Sequence, residues 1–282
     1  MKNIVIFGAN GVLGRNLIRE FSSNPAYHCI GISRALIRNY EQSTLLKVFR
    51  NIEDATILNC IGVLPDTSQS QPTLSKTANY DVVKNIVSFM KVRPEFNFIQ
   101  MSTSLVFDGS KIDPYVESDT PNPISVYGKH KVDSENLILD EIADQSAIYR
   151  FGSLITRDLN DRTTFSSFLR LLKSENLLWI EKNRSISLAD SLLISKTFDV
   201  HQTNNKILHI SHSNIASWKL VLDLIISSTG IQAETDTLRE ESPLASLNVK
   251  APRPKNSSLT SEVSTIRQQI DWEEIVLRNI DI

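Results

Sequence analysis

Ile4-Val-Ile-Phe-Gly-Ala-Asn-Gly-Val-Leu-Gly14 begins with four apolar residues and then places glycines at 8, 11 and 14. A short apolar run ended by glycine reads as a strand, and the stretch Leu13–Phe21 that follows has the apolar spacing of a helix. At such a turn the backbone has to come close to a pyrophosphate, an approach that side chains would block. The helix amino terminus adds free N–H groups and a partial positive charge directed at the phosphates. Strand before and helix after are the context the glycine triplet requires, so Gly8, Asn10, Gly11, Val12, Leu13 and Gly14 are the expected cofactor-binding turn.

The same alternation continues beyond this unit. Ile4–Phe7, Tyr27–Ile32, Thr56–Cys60, Asn97–Met101, Ala147–Phe151 and Lys206–Ile210 are strand-sized and mostly apolar without a break. Strands of that kind are buried on both faces, the signature of a parallel sheet. Between them, Leu13–Phe21, Asn79–Val92 and Ser125–Asp140 have helical length and spacing. The predicted fold is therefore α/β, a Rossmann-type doubly wound parallel sheet. Residues 1–152 form the expected NADP-binding core, and 153–229 are a mixed substrate-side insertion that returns to the sheet. Residues 230–282 make a small C-terminal substrate-binding or lid region, with a last helical piece near Glu273–Asn279. Asp66–Ser75 and Lys111–Pro123 are polar and read as loops.

Composition excludes several classes. With 282 residues, 41% hydrophobic and 22% charged, the chain has the make-up of an ordinary folded domain. Its formal charge of −2 supplies no basic field for nucleic acid. No apolar run has the length to cross a bilayer, and the amino terminus reads as a strand and not as a secretory segment, so the expected location is cytoplasmic. Cys29 and Cys60 end apolar runs and read as small buried hydrophobes of a reducing compartment. His209 and His212 have a ligand-like spacing without a Cys or acidic cluster beside them, and read as strand-edge residues; no metal is expected. Trp179, Trp218 and Trp272 read as packing anchors.

The chemistry lies in Asn122-Pro-Ile-Ser-Val-Tyr-Gly-Lys-His-Lys131. Asn122 as N-cap and Pro123 at the first helical position predict a helix from Pro123 onward, and four-residue spacing puts Tyr127 and Lys131 on one of its faces. A free tyrosine ionises near pH ~10, and a neighbouring ammonium stabilises the phenolate, which suits Tyr127 as a general acid. A hydroxyl to hold the substrate oxygen is available from Ser102, Thr103 or Ser104. After the second strand, Ser33 and Arg34 stand where sheets that prefer NAD place an acidic residue, so the expected cofactor is NADPH, with NADH as the alternative.

Taken in order, these segments resemble the extended short-chain dehydrogenases/reductases, and among them the dTDP-4-dehydrorhamnose reductase family. Met101-Ser-Thr-Ser-Leu-Val-Phe-Asp-Gly109 is similar to that family's Ser-Thr-Asp-Tyr-Val-Phe-Asp-Gly, and Tyr115–Lys131 to its acidic, proline-bearing lead into Tyr-Gly-x-x-Lys. Asn59-Cys-Ile-Gly62, Asn79, Glu135, Ser217-Trp218, Arg253-Pro-Lys-Asn-Ser-Ser-Leu259 and Asp271-Trp272 also match family segments. The resemblance implies that Thr103 hydrogen-bonds the substrate carbonyl and Tyr127 protonates it. Lys131 then binds the nicotinamide ribose and lowers the Tyr127 pKa, and Asn79 supports the proton relay. Asn59, Cys60, Ile61 and Gly62 lie against the cofactor. The implied reaction is hydride transfer to C4 of a nucleotide-activated 4-keto-6-deoxy sugar, with a homodimer as the expected assembly.

Departures fall around the sugar. The family's Asp-Tyr after the threonine is Ser104-Leu105 here, and its Arg-Thr-Ser-Trp is Arg150-Phe-Gly-Ser153. Its Gln-x-Gly-x-Pro-Thr turn is Lys182-Asn-Arg-Ser-Ile-Ser187. Ser104, Leu105, Ser153 and Arg253 are therefore the expected substrate contacts. Two other readings stay open: a nucleotide-sugar epimerase or dehydratase with bound NAD, and a non-catalytic NADP-binding regulatory subunit. Against the first stand Ser102, Ser104 and Ser33, none of them acidic; against the second stands the intact set Thr103, Tyr127 and Lys131.

Overall fold

Alternate residues of the first strand, β1 (Lys2–Phe7), are buried on opposite sides. Ile4 and Ile6 join one apolar cluster and Val5 and Phe7 another, all at 0% exposure. The computed structural model describes residues 1–33, 37, 40–174, 177–181, 184–200, 206–238, 250–263 and 270–280. Parallel to β1 run β2 (Tyr27–Ile32), β3 (Thr56–Asn59), β4 (Asn97–Thr103) and β5 (Ser146–Phe151). After the short strands β6 (Ser153–Leu154), β7 (Leu177–Glu181), β8 (Ser185–Ile186) and β9 (Leu188–Ala189), the chain adds β10 (Ile207–Ile210) to the same sheet. Its order is β10-β5-β4-β3-β1-β2, every pair parallel.

Helices cover both faces, as a doubly wound sheet requires. Leu17 and Phe21 of α1 (Val12–Ser22) pack into the cluster of Ile4 and Ile6. So do buried residues of α7 (Thr164–Ser174), α8 (Ser191–Val200), α9 (Trp218–Thr229) and α10 (Trp272–Leu277). The other face receives α2 (Gln42–Val48), α5 (Val82–Met90) and α6 (Val126–Ile142), through Leu45, Val83, Ile86 and Ile138. Trp218 and Trp272 are core residues, as expected, whereas the side chain of Trp179 lies outside the described residues. Among the described residues, no helix is long and apolar enough to cross a membrane.

Strand order reverses between β1 and β3, and such a switch point opens a crevice at the carboxyl ends of the two strands. The chain turns there at Gly8, whose φ of +79° is the left-handed conformation that favours glycine. A Cβ on Gly14 would lie 2.3 Å from the carbonyl oxygen of Gly8, so α1 can start this close to the turn only without a side chain.

Two expectations differ in detail. Asp66–Ser75, read as a loop, is helical, as α3 (Pro65–Ser70) and α4 (Pro72–Lys76). Each starts with proline at its first position, where the missing N–H costs nothing and φ is already set. The helix carrying Tyr127 starts at Val126 and not at Pro123. Its N-cap is Ser125, whose Oγ accepts from the Gly128 N–H at 3.1 Å, while the Asn122 amide is drawn away to Asp108 at 2.9 Å. Within 230–282, β12 (Glu234–Leu238) pairs in parallel with β7. Residues 239–249 lie outside the described residues.

In the three-stranded sheet, β8 pairs with β11 (Ala216–Ser217) and β13 (Asn256–Ser257). This ties the late segment back onto the main body. The Asn256 amide donates to the carbonyls of Lys111, Ile112 and Asp113 at 2.9–3.1 Å, and Tyr115 exchanges backbone bonds with Ser258 and Thr260. Gly14→Ala should destabilise the protein by about 1–3 kcal/mol, because the added methyl meets backbone and not a movable side chain. A urea midpoint equal to that of the parent would refute this account of the turn.

Candidate active site

At the crevice, α1 begins behind Gly11, an N-cap with no side-chain hydrogen bond to offer. The first-turn N–H groups are thus left for an anion. Gly8 and Ala9 donate to the carbonyl of Ile32 at 3.0 and 3.2 Å, which brings the end of β2, and Ser33 after it, beside the turn. Arg34 lies outside the described residues. On the other side is the Asn59–Gly62 segment. A Cβ on Gly8 would be 3.0 Å from the Cys60 carbonyl carbon, and Cys60 N donates to Phe7 O at 3.0 Å. The cradle therefore has the shape of a dinucleotide site: close backbone, small residues and unsatisfied amides.

The Tyr127 helix is set against the end of β4 by a close contact at Gly128. A Cβ on Gly128 would fall 2.3 Å from the Leu105 carbonyl oxygen, so the helix lies directly on the 3-10 turn Ser104–Val106. That approach brings the Tyr127 phenol near enough to the Thr103 hydroxyl for the hydroxyl to pull its pKa down. Of the three hydroxyls at the end of β4, Thr103 is the one that acts on the phenol in this way: Ser102 donates to the Glu135 carboxylate, and Ser104 is buried in the turn. Thr103 Oγ1 also accepts from Leu105 N at 3.2 Å, which fixes the rotamer.

One turn after Tyr127, Lys131 is 4% exposed and its Nζ donates to the Met101 carbonyl at 2.9 Å. It lies 5.8 Å from the centre of the Tyr127 ring. Burial lowers its pKa to about 8, against the opposing pull of Glu135. The phenol of Tyr127 is pushed up to about 12 by burial. The groups that pull it down are the Arg253 guanidinium and the Thr103 hydroxyl, not the lysine ammonium expected in that part. In the protein alone, Tyr127 is thus firmly protonated, the state in which it can give a proton. Cys60, beside the lysine, is likewise a neutral thiol, raised to about 12 by burial.

Asn79 is positioned by a π-helical turn, Thr77–Asp81, between α4 and α5. Such single turns of π-helix commonly serve to re-aim a residue. The Asn79 Oδ1 accepts from Val63 N at 3.1 Å, its Nδ2 donates to Ser75 Oγ at 3.1 Å, and its backbone carbonyl accepts from Ser134 Oγ at 2.6 Å. A Cβ on Gly62 would be 2.7 Å from Asn79 Oδ1 and 3.8 Å from Lys131 Nζ. Asn79, Gly62 and Lys131 are therefore packed together, with the asparagine clamping the loop that follows β3.

The substrate-side residues are divided. Leu105 adjoins Thr103, and Arg253 faces Tyr127 closely enough for its charge to act on the phenol. The Ser153 backbone is paired, its N–H donating to Ser187 O at 2.7 Å in register with Leu188 of β9. A Cβ on Gly152 would be 2.0 Å from the same Ser187 oxygen, which explains glycine before it. Lys182 and Asn183 lie outside the described residues.

A row of buried polar residues was not foreseen. Ser102, Arg150 and His209 are in register across β4, β5 and β10. Glu135 of α6 lies over the row, and Arg150 Nη2 meets its Oε2 at 2.7 Å with both side chains 2% exposed. The signal was present: arginine and histidine in the middle of strands otherwise apolar enough to be buried. Glu135→Gln should destabilise the fold by about 3–5 kcal/mol, because it leaves Arg150 buried without its countercharge; a loss below about 1 kcal/mol would show that the pair is not needed.

Lys131 makes a pH prediction. Its folded pKa of about 8 is below the ordinary 10.5, so the unfolded chain binds more protons in that window and stability rises with pH between the two values. From pH 8 to 10 the rise should be about 2 kcal/mol larger in the parent than in Lys131→Met. Parallel urea-midpoint profiles for the two proteins would overturn it.

Over residues 1–281 the chain matches the family described as the RmlD substrate binding domain. A dTDP-4-dehydrorhamnose reductase of Aggregatibacter actinomycetemcomitans is 25% identical over 99% of this chain and 98% of its own length. The methionine adenosyltransferase 2 subunit beta of Bos taurus is 31% identical over 147 residues, 49% of this chain; the match spans 43% of that subunit, less than half of its length. Among solved structures, a dTDP-4-dehydrorhamnose reductase of Clostridium acetobutylicum superposes with a TM-score of 0.86 at 24% identity, covering 99% of this chain and 98% of that one. One from Bacillus anthracis, solved in complex with NADP, also gives 0.86, at 22% identity and the same coverage. With its match running from the glycine turn to the last helix, the chain belongs to the RmlD substrate binding domain family.

Proposed function

We propose that the protein is an NADPH-dependent reductase of a nucleotide-activated 4-keto-6-deoxy sugar. The observation that carries this reading is the placing of Tyr127 and Lys131 on one helix face, the lysine Nζ 5.8 Å from the phenol ring, with that helix laid on the turn that follows Thr103 and the glycine cradle beyond it. A bound nicotinamide would supply the hydride for C4. Thr103 and Tyr127 would hold the C4 oxygen between them, so that the alkoxide forming there takes its proton from the phenol. With the phenol pushed up to about 12, that proton is present at every physiological pH. Lys131 would hydrogen-bond the nicotinamide ribose through the Nζ that now donates to Met101, and would restore a proton to Tyr127 after each turnover. The likeness over full length to the Aggregatibacter reductase supports the substrate class.

The test is turnover of NADPH with dTDP-, UDP- and GDP-linked 4-keto sugars, followed by nicotinamide absorbance. Tyr127→Phe should lower kcat by about 10²–10⁴-fold with NADPH binding kept. Oxidation at the parent's rate in that variant, or no sugar turned over by the parent, would sink the mechanism.

A second reading has its own observation, the 31% identity over half the chain to the methionine adenosyltransferase 2 subunit beta. On that reading the protein binds a methionine adenosyltransferase as a subunit and reduces no sugar. Co-purification with the host's methionine adenosyltransferase, combined with no turnover across the panel, would select it.

A further inference from the structure

We propose that His130 is a positioning residue that holds the Asn59–Val63 side of the cofactor cradle through Ser75 and Asn79, and that a proton taken up by its imidazole releases that hold. Dinucleotide binding then weakens as the pH falls. The inference rests on the reading of Asn59–Gly62 as a cofactor contact, and adds how that contact is kept in place.

The line of contacts begins at the surface. His130 of α6 fills an open position of Tyr-Gly-x-x-Lys, between Tyr127 and Lys131. Its ring is half-buried and lines a groove of about 480 Å³ with Lys76, Tyr80, Asp133 and Asp140. Its Nδ1 is 2.8 Å from Ser75 Oγ. Ser75, on α4, is 0% exposed, and its Oγ accepts from Asn79 Nδ2 at 3.1 Å. Through Oδ1 the asparagine accepts from Val63 N at 3.1 Å, and its Nδ2 also donates to Val63 O at 3.3 Å. Both backbone groups of the residue after Gly62 are thus tied to one buried amide, on the side of the cradle that faces Lys131.

Hydrogen counting gives the line a direction. An amide NH₂ can only donate, so Ser75 Oγ spends a lone pair on Asn79 and keeps its own hydrogen for His130 Nδ1. The ring is then neutral, with its proton on Nε2. Among the described residues, Ser75 Oγ has no third hydrogen-bond partner. A proton added at Nδ1 therefore points at the hydroxyl hydrogen, which in a site closed to water has no partner in place to turn to. The Ser75–Asn79 bond is what gives way.

Facing the ring are Asp133 and Asp140 of its own helix, Lys76 of α4, and Tyr80 and Asp81 of the π-helical turn, with Lys76 and Asp81 paired. The helices α3 and α5, which also pack on α6, add no lining residue to the groove. Burial holds the imidazole below its ordinary pKa of 6.5, with Lys76 adding to the effect and Asp133 and Asp81 opposing it. A histidine depressed in the fold is neutral at pH ~8, and the hold it supports is lost as the pH falls below the ordinary value.

Calorimetric titrations of the full chain with NADP⁺ between about pH 5.5 and 8 test this, for the parent, His130→Asn and Ser75→Ala. The asparagine oxygen stands where Nδ1 stood and takes the Ser75 hydrogen, but it gains no proton; Ser75→Ala cuts the line. Whatever NADP⁺ and the other histidines add to the pH dependence is common to all three proteins. Between these pH values, the parent's affinity should fall about fivefold or more beyond any change in His130→Asn, which should match the parent at the upper pH. Ser75→Ala should bind more weakly than the parent at the upper pH, with the slope of His130→Asn.

A histidine that only fills space gives parallel profiles in parent and His130→Asn. That result overturns the inference, while the binding of NADP⁺ leaves the cradle reading in place. Hydrogen exchange of the Val63 amide, corrected for its intrinsic pH dependence, decides the case in which none of the three binds NADP⁺. Protection that falls with pH in the parent and not in His130→Asn then keeps the hold by His130 and removes the cradle reading; protection that responds in neither removes both.

Discussion

The ion pair between Glu135 and Arg150 is the constraint around which the elements of the candidate site are arranged. Neither charge can be buried alone, and each is satisfied by more than the other. Glu135 also accepts from Ser102 Oγ, and Arg150 packs its guanidinium over the Phe107 ring at 5.3 Å. Ser102 immediately precedes Thr103, and Glu135 follows Lys131 by one helical turn. Holding Ser102 and Glu135 together therefore sets the depth and rotation at which α6 meets the end of β4. Gly128 permits the final approach.

The same row carries the constraint outward. His209, fully buried, presents Nε2 to Arg150 at 3.5 Å and Nδ1 to the carbonyls of Tyr115 and Thr260 at 3.1 Å. Burial lowers its pKa, and a neutral ring with the proton on Nδ1 satisfies both neighbours. Beside it, Glu117 accepts from His209 N, Ser261 Oγ and Glu262 N. The loop before α6 and the segment after β13 are thus bound to the same strand that carries the arginine. The Tyr127 helix, the sheet and the segment after β13 share one polar core, and the Arg253 side of the cleft is fixed relative to Tyr127.

Much of this was legible. Period and length placed six strands of one sheet and its parallel direction, because strands buried on both faces have no polar alternation. The glycine turn and the pair Tyr127–Lys131 were readable for a local reason: a tight turn and a helix face are set by residues a few positions apart. The N-cap was misread because Asn122 and Ser125 are both good caps, and a distant carboxylate, Asp108, decides which one is free. Asp66–Ser75 was misread because its composition is that of a loop, while two prolines at first helical positions and packing against α6 decide for helix.

What the sequence by itself determined is whatever depends on neighbours along the chain: the strands, the cradle for a dinucleotide and the helix face presenting a phenol and an amine. Tertiary structure decided which of Ser102, Thr103 and Ser104 meets Tyr127, since that depends on the depth of α6 against β4. It also decided that Ser153 belongs to the β6–β9 pairing. Such contacts join residues tens of positions apart through strand register, and a shift of one residue would turn each side chain to the other face. Electrostatics follow the same division: the charge of a residue is written in its name, but the pKa of Tyr127 and Lys131 is set by how deeply the fold buries them.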